Sequence, residues 1–329
     1  MLMGHPVQLL LINKGESSQM SILLAGANGM IGSFLYNRFN NEISILCMDH
    51  GQESSTKDYY SVDLSDLVGV RNFVDNSRKF DTLIFLVGLA HKKGKGQEID
   101  EFRRINKQTL VNLLYALERQ KKLPNKIIFA STISVYGEKI NINNYNEDSD
   151  KNPFSPYAVT KLEAEEFLLE HYEKQSWILR FAPVYAPNFQ LNINRRTKMG
   201  GGYYKIGDGS SKLSLCNLEN IGTTVQGILN DKVPAGIYNI SDAKEYSYND
   251  LLKYVNAQWT IPIPSIFVKG LYIIGKMINN IFLKENATKL ISDNVFPSDK
   301  IRQYIELPYA LKKDESTNNH QQDEQKQKI

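Results

Sequence analysis

The chain of 329 residues is long enough for one extended domain, or for two adjoining ones, with a sizeable hydrophobic core. Hydrophobic residues make up 42% and charged residues 23%, a balance that is typical of globular proteins and excludes an intrinsically disordered chain. The formal net charge of +3 lacks the strongly basic character of nucleic-acid-binding domains, so we expect no nucleic-acid partner. The two cysteines, Cys47 and Cys216, are too few for a disulfide framework or a cysteine-based metal site, which predicts a cytoplasmic location and no metal.

The two ends of the chain differ from its centre. Residues 1–19 contain an apolar patch but lack the basic start and the small-residue cleavage site of a signal peptide, so we expect an N-terminal extension. Residues 312–329 are almost wholly polar and are expected to form a disordered tail.

Short apolar runs alternate with helical patterns from residue 20 onward. The predicted strands are Ser21–Leu24, Ser44–Met48, Thr82–Val87, Ile127–Ala130 and Trp177–Phe181. The predicted helices are Ile31–Phe39, Leu64–Asn76, Glu101–Glu118 and Tyr157–Tyr172. This alternation predicts a doubly wound parallel α/β sheet over residues 20–182. The alternation then loosens, and we expect a smaller, partly interleaved substrate-binding domain over residues 183–311.

The apolar stretch Ile266–Leu283 is the one candidate for a membrane segment. Lysines, glycines and asparagines interrupt it, so no membrane span is predicted. Its apolar residues recur near helical spacing, which favours an amphipathic helix packed on the protein core or on a partner over a membrane-surface helix.

A glycine-rich array, Gly26, Gly29 and Gly32, joins the first predicted strand to the first helix. Glycines allow unusual backbone angles and let a pyrophosphate approach the backbone, and the helix N-terminus offers free N–H groups. The pattern therefore predicts a dinucleotide site that also includes the neighbouring residues Asn28, Met30 and Ile31. The alternative is a glycine-rich turn without a ligand.

Two carboxylates are candidates for the adenosine half of the dinucleotide. Asp49 follows the second strand, 49 − 29 = 20 residues beyond Gly29, where a carboxylate accepts hydrogen bonds from the ribose and repels a 2′-phosphate. This favours NAD over NADP. Asp63, next to Leu64, can accept a hydrogen bond from the adenine amino group or, equally, can act as a helix N-cap.

Tyr157 and Lys161 lie four residues apart in a predicted helix and share one helical face. An ammonium beside a phenol favours the phenolate, so we expect Lys161 to lower the pKa of Tyr157 and to make the phenol a proton shuttle. Thr132 ends the fourth long strand, at the sheet edge where ligands bind in α/β proteins. The three side chains together predict a hydride-transfer site, although a Tyr–Lys pair alone also occurs in ordinary amphipathic helices.

These residues resemble the extended short-chain dehydrogenase/reductases, in particular the NAD-dependent nucleotide-sugar epimerase/dehydratase family that includes UDP-galactose 4-epimerase. The likeness covers about residues 21–311 and includes the runs 131–137 and 179–185. The resemblance implies a Rossmann fold, with Tyr157 as acid/base, Lys161 as its pKa modulator and ribose ligand, and Thr132 as hydroxyl partner. It also implies further cofactor contacts from the residues Val87, Asn106 and Pro183.

The reaction is only partly defined by the sequence. Dehydratases of the family carry an Asp-Glu pair after the threonine, whereas this chain has Ile133 and Ser134, which cannot move a proton in an elimination. Epimerisation and reduction of a 4-keto sugar both remain open.

The predicted substrate is a nucleotide sugar, as used in surface-polysaccharide synthesis. Asn192, Arg195 and Arg196 can hold its diphosphate, although a solvated basic loop is an equal alternative. His91 and Thr132 are further candidate substrate contacts.

Two other functions compete with this one. The first is a reductase of a non-sugar small carbonyl compound, and the second is a non-catalytic dinucleotide-binding sensor. The resemblance also implies a homodimer formed through two helices, chiefly the one that contains Tyr157.

Overall fold

The computed structural model describes residues 20–40, 44–49, 59–90, 99–137, 139 and 142–312. The expected N-terminal extension and nearly all of the expected polar tail lie outside these residues.

Fourteen strands are defined within the described residues: β1 Ser21–Ala25, β2 Ser44–Asp49, β3 Tyr59–Ser61, β4 Thr82–Phe85, β5 Lys126–Thr132, β6 Ser176–Phe181, β7 Val184–Tyr185, β8 Lys198–Met199, β9 Gly202–Ile206, β10 Lys212–Leu213, β11 Cys216–Asn217, β12 Gly236–Ile240, β13 Tyr246–Ser247 and β14 Ile261–Ile263. The α-helices are α1 Met30–Phe39, α2 Leu67–Asn76, α3 Ile99–Arg103, α4 Thr109–Arg119, α5 Pro156–Tyr172, α6 Leu191–Thr197, α7 Leu218–Leu229, α8 Tyr248–Tyr254, α9 Ser265–Met277, α10 Ile281–Ile291 and α11 Asp299–Arg302. A π-helical turn, Arg104–Gln108, joins α3 to α4, and 3-10 turns occupy Ile133–Tyr136 and Glu173–Gln175.

Seven strands form the central sheet, in the order β12-β6-β5-β4-β1-β2-β3, and all neighbouring pairs are parallel. The strand order reverses direction at β1, which lies between β2 and β4. A reversal of this kind opens a crevice at the carboxyl ends of the strands, where α/β proteins bind ligands. The predicted doubly wound parallel fold is confirmed.

The sheet is buried on both faces because its side chains alternate between two hydrophobic clusters. In β5, Ile127 and Phe129 face one cluster, and Ile128 and Ala130 face the other. Helices α2, α4 and α5 pack on the first face, and α1 and α7 pack on the second. Burial on both faces explains why the strands read as continuous apolar runs in the sequence.

The chain leaves the sheet after β6 and later returns to it. Helix α7 packs on the sheet and β12 pairs with β6, although both lie beyond residue 183. A separate small cluster, which includes Ile193, Leu215 and Leu251, forms under α6 and α8. The division into domains at residue 183 stays a prediction, and the structure adds that part of the second segment belongs to the central sheet.

The apolar stretch predicted as one amphipathic helix forms two, α9 and α10. The chain turns between them at Asn279, which has a left-handed φ of 52°. A Cβ added to Gly275 would lie 2.9 Å from the backbone nitrogen of Lys284, so the two helices approach closely there. The expected packing of the apolar residues on the chain's own core is wrong, because most of them are exposed. Among the described helices, none has the length and apolarity needed to cross a membrane.

A buried ion pair fixes α5 to the sheet. Arg180, in β6, donates from Nη2 to the Glu165 carboxylate at 2.6 Å, and both side chains are 1% exposed. Ser131 donates a short hydrogen bond to the same carboxylate, and Arg180 Nη1 donates to the Tyr136 hydroxyl at 2.9 Å. Burial alone would lower the pKa of Arg180, but the neighbouring Glu165 carboxylate raises it above its usual range. The Arg180 guanidinium is therefore always charged, and without the Glu165 carboxylate it would be a buried charge with no ion-pair partner.

We predict that Arg180→Met lowers the free energy of unfolding by about 3–5 kcal/mol, because it leaves the Glu165 carboxylate buried without its ion pair. The measurement is denaturant unfolding followed by circular dichroism. The matched control is Arg103→Met, which removes the solvent-accessible pairs of Arg103 with Glu163 and Asp100 and should cost far less. Equal losses in the two variants would show that the buried pair does not hold α5 in place.

Candidate active site

The glycine-rich turn leaves β1 and enters α1 with two positions that only glycine fits. Gly26 has a left-handed φ of +87°, and a Cβ there would lie 3.1 Å from the backbone of Leu86 and Val87. At Gly32 a Cβ would lie 2.2 Å from the carbonyl oxygen of Gly26. Gly29 is exposed and tolerates a Cβ, with its nearest contact at 3.4 Å. Gly26 and Gly32 therefore set the close approach of α1 to the sheet, and Gly29 presents bare backbone to the solvent.

The N-terminus of α1 suits a phosphate group. Gly29 is the N-cap residue, and within the described part of the chain no side chain caps the helix and no acidic residue occupies its first turn. The free N–H groups and the helix dipole therefore point to the crevice. Met30 and Ile31 are half-buried against the core, and Asn28 is exposed and donates to the Tyr59 hydroxyl at 2.6 Å. The residues present thus fit the pyrophosphate of a dinucleotide.

The two predicted adenosine contacts have different outcomes. Asp49 ends β2, with its backbone in register with Ser61, and its ribose contact stays a prediction. Asp63 is exposed and accepts hydrogen bonds from the backbone N–H and the hydroxyl of Ser65 at 2.8 and 2.7 Å. The alternative role of Asp63 as a helix N-cap is wrong, because α2 begins three residues later than predicted and Asp66 caps it. Leu64 is buried beside these residues, and its adenine contact stays a prediction.

Thr132 and Tyr157 lie at the carboxyl edge of the sheet. Thr132 ends β5, and its hydroxyl accepts from the backbone N–H of Ser134 at 3.2 Å. Tyr157 lies in the first turn of α5, which Ser155 caps. Burial raises the pKa of Tyr157 to about 12, and the nearby Thr132 side chain partly opposes this effect. The two residues that the sequence predicts to act together therefore lie near one another.

Lys161 is buried one helical turn beyond Tyr157 and binds the ends of two strands. Its ammonium donates to the carbonyl oxygens of Val87 and Ala130 at 3.2 and 2.9 Å and lies 4.6 Å from the centre of the Phe129 ring. Burial lowers the pKa of Lys161 to about 7, although the Glu165 carboxylate raises it. The expectation that Lys161 lowers the pKa of Tyr157 is wrong for this arrangement, because the pKa of Tyr157 is raised and the lysine is bonded to carbonyls.

Asn106 fixes the loop that follows β4. Its amide oxygen accepts from the Leu89 N–H at 2.6 Å, and its amide nitrogen donates to the Thr160 hydroxyl on α5 at 3.0 Å. Asn106 lies in the π-helical turn, a distortion that is frequent at functional sites. A Cβ at Gly88 in this loop would lie 3.1 Å from the Lys161 nitrogen. The loop backbone is thereby held against the lysine, and the direct cofactor contacts of Asn106 and Val87 stay predictions.

A small cavity lies next to Ile133, between the sheet edge and the C-terminal segment. Its lining residues are Ile133, Pro183, Arg196, Leu213, Ser214, Tyr248, Lys289, Asn294 and Phe296. Arg196 and Lys289 give this cavity two cationic side chains. The segment predicted as a loop is helix α6, in which Asn192 donates to the Val184 carbonyl at 2.9 Å and Arg196 to the Asn192 carbonyl at 2.8 Å.

The structure does not bring the remaining predicted substrate contacts, Arg195 and His91, to this cavity within the described residues. Arg195, on α6, is exposed. His91 lies outside the described residues. Of the three predicted diphosphate contacts, the structure brings Arg196 to the cavity next to Ile133.

A model of the NAD-dependent epimerase/dehydratase family matches residues 22–240, about two thirds of the chain. The chain belongs to this family. The match confirms the predicted family and enzyme class, and it confirms NAD as the cofactor of the family.

Curated relatives and solved structures agree with this assignment. The N-acetyl-alpha-D-glucosaminyl-diphospho-ditrans,octacis-undecaprenol 4-epimerase of Escherichia coli O157:H7 is 27% identical over 258 residues, which cover 75% of this chain and 74% of the relative. A Bacillus subtilis protein described as an uncharacterised UDP-glucose epimerase is 31% identical over 51% of this chain and 58% of its own length. The structure of MoeE5 in complex with UDP-glucose and NAD has a TM-score of 0.60 and 24% identity, and it covers 74% of this chain and 85% of that chain. This structural likeness shows the fold.

Several residues of this epimerase/dehydratase site were missed in the sequence. Arg180 and Glu165 support Ser131, the neighbour of Thr132. A signal for Arg180 was present, because an arginine inside an apolar strand needs a buried carboxylate. Lys289 has no comparable signal in the sequence. It lies 289 − 196 = 93 residues beyond Arg196, and only the fold brings the two side chains to the same cavity.

We predict that Gly32→Ala disrupts the turn, whereas Gly29→Ala does not. The added methyl group of Gly32→Ala would collide with backbone atoms, so we expect a loss of about 1–3 kcal/mol in the free energy of unfolding and NAD binding weakened by about tenfold or more. Thermal unfolding and NAD titration calorimetry measure the two effects. Gly29→Ala should retain the wild-type melting temperature, and an equally large loss in that variant would contradict the packing described for the turn.

We predict that burial of Lys161 makes the stability of the protein depend on pH. The folded pKa of about 7 is lowered from the unfolded value, so the unfolded chain binds a proton that the folded chain lacks between about pH 7 and pH 10, and stability rises with pH there. Relative to Lys161→Met, the wild type should gain up to about 1.4 kcal/mol per pH unit over this range. Unfolding curves at several pH values measure the gain, and Lys276→Met controls for the loss of an exposed lysine. A difference between wild type and Lys161→Met that stays constant with pH would contradict the buried state of the amine.

Proposed function

We propose that this protein is an NAD-dependent 4-epimerase of a sugar diphosphate, with a nucleotide sugar as the first candidate substrate. The placement of Thr132, Tyr157 and the buried Lys161 at the carboxyl edge of the sheet, beside the glycine-rich turn, carries the proposal. The names of the relatives support epimerisation. Reduction of a 4-keto sugar is the alternative outcome of the same chemistry.

Tyr157 is proposed to move the proton of the sugar hydroxyl. In the oxidation step the phenolate takes this proton as the hydroxyl becomes a keto group, and in the return step the phenol gives it back to the keto oxygen. Bound NAD supplies the hydride acceptor in the first step and the hydride donor in the second. Burial raises the pKa of Tyr157 to about 12, so the phenol is protonated at neutral pH in this structure and must lose its proton before the oxidation step. The Thr132 side chain favours the phenolate and partly opposes the effect of burial.

Lys161 is proposed to position Tyr157 and to help hold the cofactor. Its bonds to Val87 and Ala130 place α5 across the ends of β4 and β5, where the ribose of the nicotinamide would be bound. The site residues of the glycine turn would hold the pyrophosphate, since Gly32 provides the close approach and α1 the free N–H groups.

Dehydration is disfavoured by the residues after Thr132. Ile133 is buried in the core and lines the cavity, and Ser134 uses its backbone N–H to bind Thr132. Neither side chain is an acid or base that could remove a proton from the next sugar carbon. The proposal is therefore limited to oxidation and reduction at one carbon.

The diphosphate is proposed to bind between Arg196 and Lys289. Both line the small cavity next to Ile133, which as it stands has room for only about one water molecule. The two side chains would therefore have to move apart to admit the diphosphate, which would then place the attached sugar near Thr132. A second candidate substrate carries the diphosphate on a polyprenol instead of a nucleoside, as in the name of the Escherichia coli relative. Turnover of a nucleotide sugar against a polyprenyl-diphosphate sugar separates these two candidates.

A homodimer through α4 and α5 stays a prediction. Tyr115, on α4, is exposed and stacks on His171 of α5, which gives this face an aromatic contact for a second copy.

We predict that Tyr157→Phe lowers kcat by about a hundredfold or more, because it removes the group that moves the proton. NAD affinity should change less than threefold or so, since only one hydroxyl is lost and the helix is unaltered. Product separation by chromatography with UDP-sugars as substrates measures kcat, and calorimetry measures NAD binding.

Tyr60→Phe is the matched control, because it removes the hydroxyl of a tyrosine that packs edge-on against Phe73 outside the site. Its kcat should equal that of the wild type. Full activity of Tyr157→Phe would eliminate the acid/base role. Net accumulation or consumption of NADH with Tyr157 intact would identify a reductase instead of an epimerase.

A further inference from the structure

Helix α9 exposes an apolar surface that the chain does not cover. Two neighbouring rows of the helix contain apolar residues and one glycine: Ile266, Gly270, Ile273 and Met277 in the first, and Phe267, Leu271, Ile274 and Ile278 at its C-terminal end in the second. All of the large side chains in both rows are exposed. We name these residues the α9 apolar face.

The opposite side of α9 is the one that packs on the protein. Val268 and Gly275 are its buried residues, seven positions apart on one helical row. Gly275 makes the close approach to α10 through Leu283 and Lys284. The α9 apolar face therefore points away from α10 across a wide arc of the helix.

The charged residues of α9 itself have one sign, since Lys269 and Lys276 are its charged side chains. The sequence contains no Asp or Glu from residue 251 to residue 284, although the whole chain has 36 acidic residues, whereas this stretch contains Lys253, Lys269, Lys276 and Lys284. Lys269 and Lys276 are exposed and lie seven residues apart, so they line one edge of the α9 apolar face. Trp259, which precedes β14, is exposed as well.

We propose that the α9 apolar face docks on the surface of an anionic lipid bilayer, with the helix lying in the plane of the interface. A helix with a continuous apolar arc and lysines at its edge inserts its apolar side chains among the lipids and places the ammonium groups at the headgroups. Thirteen residues are too short to span a bilayer, so the helix lies on the membrane. A second copy of the chain is a poorer occupant, because a two-fold contact through this face would bring the same lysine edges together without a carboxylate from either one.

The docking surface is connected to the candidate active site. Helix α10 follows α9 directly, and its Lys284 lies 4.5 Å from the centre of the Phe154 ring, three residues before Tyr157. Lys289, further along α10, lines the cavity beside Ile133. Docking would thus hold the cavity near the lipid headgroups. The docking itself does not depend on the proposed catalytic activity.

The test is cosedimentation of the full chain with vesicles of phosphatidylcholine alone or mixed with phosphatidylglycerol. We expect binding to the mixed vesicles. The double variant Ile266→Asn/Met277→Asn changes side chains that are 72% and 80% exposed, so it should keep the wild-type melting temperature and bind about tenfold or more weakly. Lys269→Glu/Lys276→Glu should remove the preference for phosphatidylglycerol.

The matched control is Val68→Asn on α2, which changes an apolar side chain that is 64% exposed elsewhere on the surface. Its vesicle binding should equal that of the wild type. Absence of binding to both kinds of vesicle, or equal binding by the asparagine double variant, would overturn the proposal. The face would instead be assigned to a second copy if the wild type is a dimer that does not bind vesicles and Ile266→Asn/Met277→Asn converts it to a monomer. UDP-sugar turnover is measured for each variant as well. Loss of vesicle binding with turnover intact concerns the docking proposal alone, whereas absence of turnover in the wild type concerns the proposed function.

Discussion

The candidate site depends on the buried amine of Lys161. Its hydrogen bonds to the carbonyl oxygens of Val87 and Ala130 join α5 to the ends of two neighbouring parallel strands, β4 and β5. The Val87 carbonyl lies just beyond the end of β4, and the Ala130 carbonyl lies near the end of β5. Because Tyr157 lies one turn earlier on the same helix, the position of the lysine also sets the position of the phenol against Thr132. A single side chain thus aligns the helix, the sheet edge and the reactive hydroxyls.

A second set of buried polar groups holds α5 against strands β5 and β6. Glu165, one turn beyond Lys161, binds Arg180 of β6 and Ser131 of β5. Buried charges of this kind are costly to leave unpaired, so they restrict the helix to one position more strongly than apolar packing alone. Asn106 adds a third link by holding the loop after β4 to Thr160. The arrangement explains why a protein with a conventional apolar core places so many polar side chains inside α5 and its neighbours.

The sequence predicts those features that local patterns determine. The parallel strands were recognisable because burial on both faces makes them continuous apolar runs, and the turn at Gly26 and Gly32 because only glycine fits its backbone. The spacing of Tyr157 and Lys161 likewise placed both on one helical face. Their electrostatics were not predictable in this way, since the partners of Lys161 come from strands 31 and 74 residues earlier in the chain.

In the C-terminal segment, too, local sequence patterns predict a helix but not the tertiary contacts that it makes. The apolar spacing around Ile273 correctly indicated a helix, but what the helix packs on is a tertiary property, and the packing on the chain's own core was not found. The Asn- and Gly-rich sequence around Arg196 leaves a solvated loop open as an alternative, whereas the structure has helix α6 there, and Ile193 packs in a small separate cluster. Lys289 reaches the cavity only through the fold of α9 and α10. Predictions for the substrate side were therefore weaker than those for the cofactor side.

The most direct test of the hydride-transfer site follows an isotope through one turnover. Purified protein with bound NAD would be mixed with a UDP-sugar that carries deuterium on the carbon of the 4-hydroxyl group, and the product and the nicotinamide absorbance would be examined together. We expect a transient NADH signal and an epimerised sugar that retains the deuterium on the same carbon. Loss of the deuterium to the solvent, or epimerisation without any NADH, would contradict the hydride-transfer mechanism.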